Sequence, residues 1–233
     1  MPIPRFWFSL SLLLLTAQLA AGQTTHQGGY WVRGYMRVQL AKRWAWHSEL
    51  DERRLLMPDR QWQLITHHHL HYRLLAPLDV ALGGTYSRQP PAVGNGGLPE
   101  WRVFTEATLS TLLSPQIRLQ NRLRTEQRWL ARSTEQYTTW DTRQRFRYRF
   151  QVDWQKFAGW KMRASDEIMF HPDSFDQNRL YAGVERQLGA GFAAELGYLW
   201  VYQRRYHLSQ YFDRHILRLT LFKDVVRQAP PRA

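Results

Sequence analysis

The chain has 233 residues, no cysteine, and 32 Lys and Arg against 19 Asp and Glu, for a formal net charge of +13. Without cysteine there is no disulfide framework and no acylated cysteine of a lipid-anchored lipoprotein, and the length suits one barrel or sandwich rather than several domains. Blanket basicity would point to nucleic acid or anionic lipid, but the arginines fall at alternate positions of extended segments, so no nucleic-acid partner is expected.

The first segment, residues 1–22, reads as a secretory signal peptide. Arg5 precedes an apolar run from Phe6 to Ala20, and Ala20-Ala21-Gly22 supplies small residues for cleavage before Gln23. The alternative is an uncleaved anchor, but the run is shorter than the ~20 residues a spanning helix needs. Residues 23–233 then form a single domain. No later segment is long and apolar enough to span as a helix.

Eleven candidate strands follow: Trp31–Ala41, Trp44–Arg54, Trp62–Leu75, Val80–Arg88, Trp101–Leu112, Ile117–Leu130, Thr142–Gln155, Trp160–His171, Gln177–Leu188, Phe192–Gln203 and Asp213–Lys223. The seventh is the clearest. Arg143, Arg145, Arg147, Arg149, Gln151, Asp153 and Gln155 share one parity, and Phe146, Tyr148, Phe150, Val152 and Trp154 share the other. A strand sends alternate residues to opposite faces, whereas a helix would scatter both sets. One continuous apolar face and one charged face, repeated along the chain, fit a barrel with an apolar outside and a polar inside.

The connections are read as alternating in length. Lys42-Arg43, Ala76–Asp79, Ser114–Gln116, Lys156–Gly159 and Gly189–Gly191 are short; Leu55–Gln61, Gln89–Glu100, Ala131–Asp141, Pro172–Asp176 and Arg204–Phe212 are longer. Trp31, Trp44, Trp46, Trp62, Trp101, Trp129, Trp154, Trp160 and Tyr202 gather at strand ends, as interfacial girdles do. The competing reading is the aromatic core of a soluble sandwich. The fold expected is therefore all-β: a single transmembrane antiparallel up-and-down barrel of 10–12 strands. An antiparallel barrel closes with an even number of strands, so a count of eleven implies either ten, with Trp31–Ala41 outside the wall, or twelve.

Several segments resemble a family of uncharacterised bacterial outer-membrane barrels, domain of unknown function 2490. They are Phe175-Asp176-Gln177-Asn178-Arg179-Leu180-Tyr181-Ala182-Gly183, the Gly197-Tyr198 strand, Arg145-Phe146-Arg147-Tyr148-Arg149, and Leu40 to Trp44 with Glu49-Leu50 and Arg53. The resemblance spans nearly the whole mature chain and implies a Gram-negative outer-membrane location and a barrel fold, with no established reaction. In size and basic lumen the chain also looks like the small porins that pass acidic oligosaccharides. Outer-membrane lipid and the barrel assembly machinery are the partners implied. Outer-membrane barrels often end on an aromatic residue, while here Phe222 precedes a polar tail, so the assembly signal is expected to be internal or weak.

Parity assigns basic residues to the lumen on nine of the eleven strands, all but the fourth and the tenth. The anion-binding candidates are Arg118, Arg122, Arg124, Arg128, Arg143, Arg145, Arg147, Arg149, Arg163 and Arg179, with Glu126, Asp153, Glu167 and Glu185 as acidic partners. The planar guanidinium fork binds carboxylate and phosphate bidentately. Two readings stay open: a ladder that passes or binds small anionic solutes, and a lumen plugged by Arg–Glu pairs in a non-conducting structural or surface-interaction barrel.

His67, His69 and His71 share the lumen parity. Alternate strand residues stand ~7 Å apart at a rise of about 3.3 Å each, too far for all three to hold one zinc without bending the strand. Two of them with a neighbour such as His47 would suffice, but a titratable polar lining is the simpler expectation and no metal or cofactor is assigned. Asp166 lies on the lipid parity beside Glu167, which suggests a β-bulge near Ser165. A barrel-embedded lipid hydrolase would need a Ser–His pair at the rim. His47 and Ser48 are adjacent and so face opposite ways, and His207 with Ser209 has only Asp213 as an acid, so no catalytic residue is assigned.

Overall fold

The computed structural model describes residues 23–89, 97–133, 138–155, 157–204 and 210–226. The signal-peptide reading of residues 1–22 and the loop pair His207 and Ser209 lie outside them. Eleven strands form one closed barrel: β1 (Gln23–Gln39), β2 (Trp44–Leu56), β3 (Asp59–Arg73), β4 (Leu78–Gln89), β5 (Leu98–Ser114), β6 (Ile117–Ser133), β7 (Thr138–Trp154), β8 (Trp160–His171), β9 (Ser174–Gly189), β10 (Phe192–Arg204) and β11 (Gln210–Val226). Each strand pairs antiparallel with the next in sequence.

Closure corrects the expectation of an even count. β1 is a full wall strand, starting eight residues before its predicted limit, and it pairs in parallel with β11 from Gln23↔Gln210 to Gln39↔Val226. Ten reversals, an even number, separate β1 from β11, so both strands run in the same direction and the barrel closes through a parallel ladder. Gly29 sits at this seam, where a Cβ would lie 2.5 Å from the Arg54 carbonyl oxygen and 2.9 Å from Ile216 Cδ1.

Two of the connections expected to be long are tight turns. β2 and β3 are joined by residues 57–58, and β8 and β9 by residues 172–173. The strands simply continue further than their hydrophobic alternation revealed. The bulge expected near Ser165 is also absent: the β7–β8 and β8–β9 ladders run without a shift through Ser165, and outward-facing Asp166 accepts a hydrogen bond from Asn178 Nδ2 at 2.6 Å.

Bulges occur elsewhere, and they matter to the interior. Arg53 pairs with Gln63 and Arg54 with Gln61, so Trp62 is the extra residue of β3. Met169 pairs with Gln177 and Phe170 with Phe175, so Asp176 is the extra residue of β9. A bulge re-aims one side chain, and both of these turn into the lumen. Trp62 therefore does not belong to an outer girdle. Neither does Trp31, which is buried inside against Trp62, their ring centroids 5.9 Å apart. With Tyr181, Leu199, Val201 and Ile216 they make an apolar cluster on the inner wall beside the β1–β11 seam.

The outer face is apolar. Val32, Leu50, Leu82, Val103, Leu123, Phe146, Phe150, Leu180, Leu196 and Leu217 are all exposed there. Such a surface would be untenable in water over so many strands, and it fits a barrel that spans a bilayer. Trp44 with Tyr72 and Tyr86 with Trp101 form outward aromatic pairs, with centroids 4.7 and 4.6 Å apart.

Glycine lets bulky inner side chains lie flat against the wall. Phe104 on β5 is buried over Gly83, its direct partner on β4, where a Cβ would meet Phe104 Cζ at 2.4 Å and His69 Cβ at 2.6 Å. Gly83→Val is expected to destabilise the folded barrel by about 1–3 kcal/mol through overpacking; the urea midpoint of heat-modifiable mobility in detergent measures it.

Candidate functional site

The interior is built on the pairing of β6 with β7. Their inward arginines stand directly opposite one another: Arg122↔Arg149, Arg124↔Arg147 and Arg128↔Arg143. Like charges in cross-strand positions repel, so this wall stands only where carboxylates are interleaved. The sequence of β6 places Glu126 among its arginines, opposite Arg145. Neighbouring strands supply the rest.

Glu126 is buried beneath the guanidinium layer. It accepts hydrogen bonds from Arg145 Nε at 2.8 Å and Arg147 Nη1 at 2.6 Å, with Arg124 Nη1 3.9 Å away. Glu167 on β8 accepts from Arg147 Nη2 at 2.8 Å and from Arg122, and lies 3.9 Å from Arg179 Nη1. Glu106 on β5 accepts from Arg124 Nε at 2.7 Å and sits 3.5 Å from Arg122 Nη1. The network continues along β7–β10, where Arg163 bridges Asp153 at 2.9 Å and Glu195 at 2.5 Å, and Glu185 pairs with Lys161 at 2.7 Å.

All ten arginine candidates line one cavity of about 1290 Å³. They are not equivalent. Arg122, Arg124, Arg128, Arg145, Arg147, Arg163 and Arg179 are held in ion pairs, and Arg143 pairs with Asp141 at 2.5 Å. Arg149 and Arg118 have no ion pair among the described residues, and the buried Arg149 Nε has no hydrogen-bond partner. Arg37 and Arg73 also line the cavity without an ion pair among the described residues. Of the acidic candidates, Asp153, Glu167 and Glu185 line the cavity, and Glu126 lies behind it.

Two carboxylates that organise this wall escaped the sequence reading. Glu100 accepts from Arg102 Nε at 2.7 Å and Arg128 Nε at 2.6 Å. The sequence reads as a loop up to Glu100, although parity with Arg102 places this residue inside. Asp176 lies 3.2 Å from Arg145 Nη1. No alternation could have found it, because its inward aim comes from the bulge.

The histidines divide. His67 stands 2.7 Å from Thr85 Oγ1, whereas His69 and His71 lean together, with Nδ1 and Nε2 2.7 Å apart, and meet His47 of β2. The ~7 Å separation of alternate strand positions is closed by ring tilt rather than by bending the strand. One ring nitrogen from each of His47, His69 and His71 lies within 4.8 Å of the others.

Arg and Lys outnumber Asp and Glu in the cavity lining by more than two to one. The lining includes Arg43, Pro77, Leu112 and Gly191 at one rim and Gln89, Leu130, Arg132 and Arg204 at the other, so the cavity reaches both ends of the barrel. Its ion pairs fix most guanidiniums to the wall, and the surplus positive charge faces the space between.

The chain belongs to an uncharacterised family: the model described as protein of unknown function (DUF2490) matches residues 28–211. No curated protein matches it. Among solved structures it is similar to the CymD monoaromatic hydrocarbon channel, with 11% identity and a TM-score of 0.39 over 71% of this chain and 66% of that chain.

Removing the carboxylate that three arginines share should expose what the network is worth. Glu126→Gln is expected to cost about 3–5 kcal/mol, because it leaves buried guanidiniums facing one another without compensation; denaturant unfolding of the barrel in detergent measures the loss.

Proposed function

We propose that the protein is an outer-membrane channel or binding lumen for small anionic solutes, reached after export by cleavage of residues 1–22. The observation that carries this reading is the one cavity touching both rims with a surplus of arginine along it. Ion pairs neutralise the wall from within, so a solute meets a partly compensated field rather than a block of bare charge. Positions left to engage it include Arg149 near the middle and Arg118, Arg37 and Arg73 toward the short-turn rim, none ion-paired among the described residues. A guanidinium with unused donors offers carboxylate or phosphate a bidentate site. Several weak stations in series permit entry and release, whereas one strong site would trap the solute.

The same ion pairs support the competing reading, a non-conducting barrel whose outer loops do the work. The two differ in current. Refolded protein in a planar bilayer under a salt gradient is expected to give steady single-channel current with an anion-selective reversal potential. Replacing Arg37, Arg118 and Arg149 together by Gln should move that potential toward zero while the fold persists, since none of the three holds a structural ion pair. No current from a verified folded barrel would favour the non-conducting reading, and unchanged selectivity in the triple variant would remove these arginines from the pathway.

A further inference from the structure

Three imidazoles converge on the inner wall where β2 and β3 pair. His47 stands directly opposite His69, and His71 follows two residues on along the same face. The His47 and His71 rings are 3.8 Å apart at 28°, and those of His69 and His71 are 4.8 Å apart.

The hydrogen bonding sorts the six ring nitrogens into two sets. One nitrogen of each ring faces an oxygen behind it: His47 Nδ1 lies 2.6 Å from the Tyr35 hydroxyl, His69 Nε2 3.3 Å from Glu49 Oε1, and His71 Nδ1 against Asp79 Oδ1. The other three are His47 Nε2, His69 Nδ1 and His71 Nε2. His69 Nδ1 and His71 Nε2 have only each other, and His47 Nε2 is buried with no partner. Buried polar nitrogens are rarely left so.

That division is the arrangement of a metal site. Histidine ligands orient their rings through the second nitrogen, most often on a carboxylate, which also makes the ligating nitrogen more basic. Metal–nitrogen bonds of about 2.0–2.1 Å place tetrahedral ligands roughly 3.4 Å apart. The 2.7 Å pair would open, and because one nitrogen of each ring already lies within 4.8 Å of the others, ring rotation, with His47 turning out of its stack, would bring three donors to that spacing. Glu49 and Asp79 also oppose the charge an ion would add to an arginine-rich lumen.

We propose that His47, His69 and His71 form a binding site for a divalent transition metal of the zinc class, with its fourth position open to the lumen. Imidazole donors suit zinc, copper and nickel. All three rings line the cavity, so water or a solute carboxylate or phosphate completes the coordination. The site does not depend on whether the barrel conducts.

The test uses the folded mature barrel, without a polyhistidine tag, titrated in detergent with Co²⁺ and then Zn²⁺. A single saturable equivalent is expected, with the visible absorption of four-coordinate cobalt, displaced by zinc. His47→Gln and His71→Gln should each weaken binding on the order of ten-fold or more, and Asp79→Asn by about 10–100-fold through loss of ring orientation. His67→Gln, which removes a side chain bound to Thr85 outside the triad, should leave affinity unchanged. Heat-modifiable mobility verifies folding of each variant; should a histidine variant not fold, Asp79→Asn carries the decision. Absence of saturable binding to the wild-type barrel, binding that survives in the folded His47, His69 and His71 triple Gln variant, or an Asp79→Asn barrel that binds as wild type would overturn the site.

Discussion

The repulsion between two facing rows of arginine governs this interior. β6 and β7 present Arg122, Arg124 and Arg128 against Arg149, Arg147 and Arg143 at the spacing of adjacent strands. Within that pair of strands Glu126 relieves the middle of the rows and Asp141 the Arg143 end. The remaining compensation must come from across β5 and β8, and it does, through Glu100, Glu106 and Glu167. The carboxylates are thus not a separate acidic lining. They are the reason four consecutive strands can lie in register, and shifting any one strand by a residue would turn its carboxylate to lipid and leave guanidiniums unpaired.

Compensation is incomplete, and the incompleteness is localised. Ion pairs gather around the middle of the β5–β8 wall, whereas Arg37, Arg73 and Arg118 stand toward the short-turn rim without them among the described residues. The opposite wall carries the apolar cluster of Trp31, Trp62, Tyr181, Leu199, Val201 and Ile216. Even there arginine intrudes: the Arg214 guanidinium, without an ion pair among the described residues, lies 4.4 Å from the Trp62 ring centre and 4.3 Å from that of Phe212. Cation–π contact is a way to hold a guanidinium without spending a carboxylate on it. The interior keeps its charge surplus because aromatic faces, not only acids, anchor the arginines.

Much of this was legible in the sequence because a strand has a period of two and nothing disguises it in Thr142–Gln155. That period also gave the inward face of His67, His69 and His71 and the Arg rows of β6 and β7. It failed where the backbone leaves the period. Trp62 and Asp176 turn inward only because each is the extra residue of a bulge, which local alternation cannot reveal. Glu100 was lost for a different reason: Pro99 beside a glycine-rich stretch reads as loop, yet β5 already runs from Leu98. Trp31 shows the reverse error, since its parity with Arg33 placed it inside while its position at a strand end suggested a girdle. The meeting of three histidine rings depends on side-chain tilt and on the β2–β3 register, which no spacing within one strand fixes.

Closure by an odd strand adds a requirement of its own. Parallel ladders have slanted hydrogen bonds and are slightly weaker per residue than antiparallel ones. The β1–β11 ladder is long, from Gln23↔Gln210 to Gln39↔Val226, which offsets the weaker bonds by number. Packing on the inner face does the rest. Gly29 allows β1 to approach Ile216 of β11 at a distance that a side chain would forbid, and Ile216 packs with Trp31 of β1 in the inner cluster. The apolar patch in an otherwise charged lumen therefore lies where the barrel needs it, at the joint between the first strand and the last. A charged side chain at Ile216 would face both the seam and Trp31, with the one inward carboxylate of β11, Asp224, eight residues away, so the composition of the two lumen walls follows from where the sheet is continuous and where it is joined.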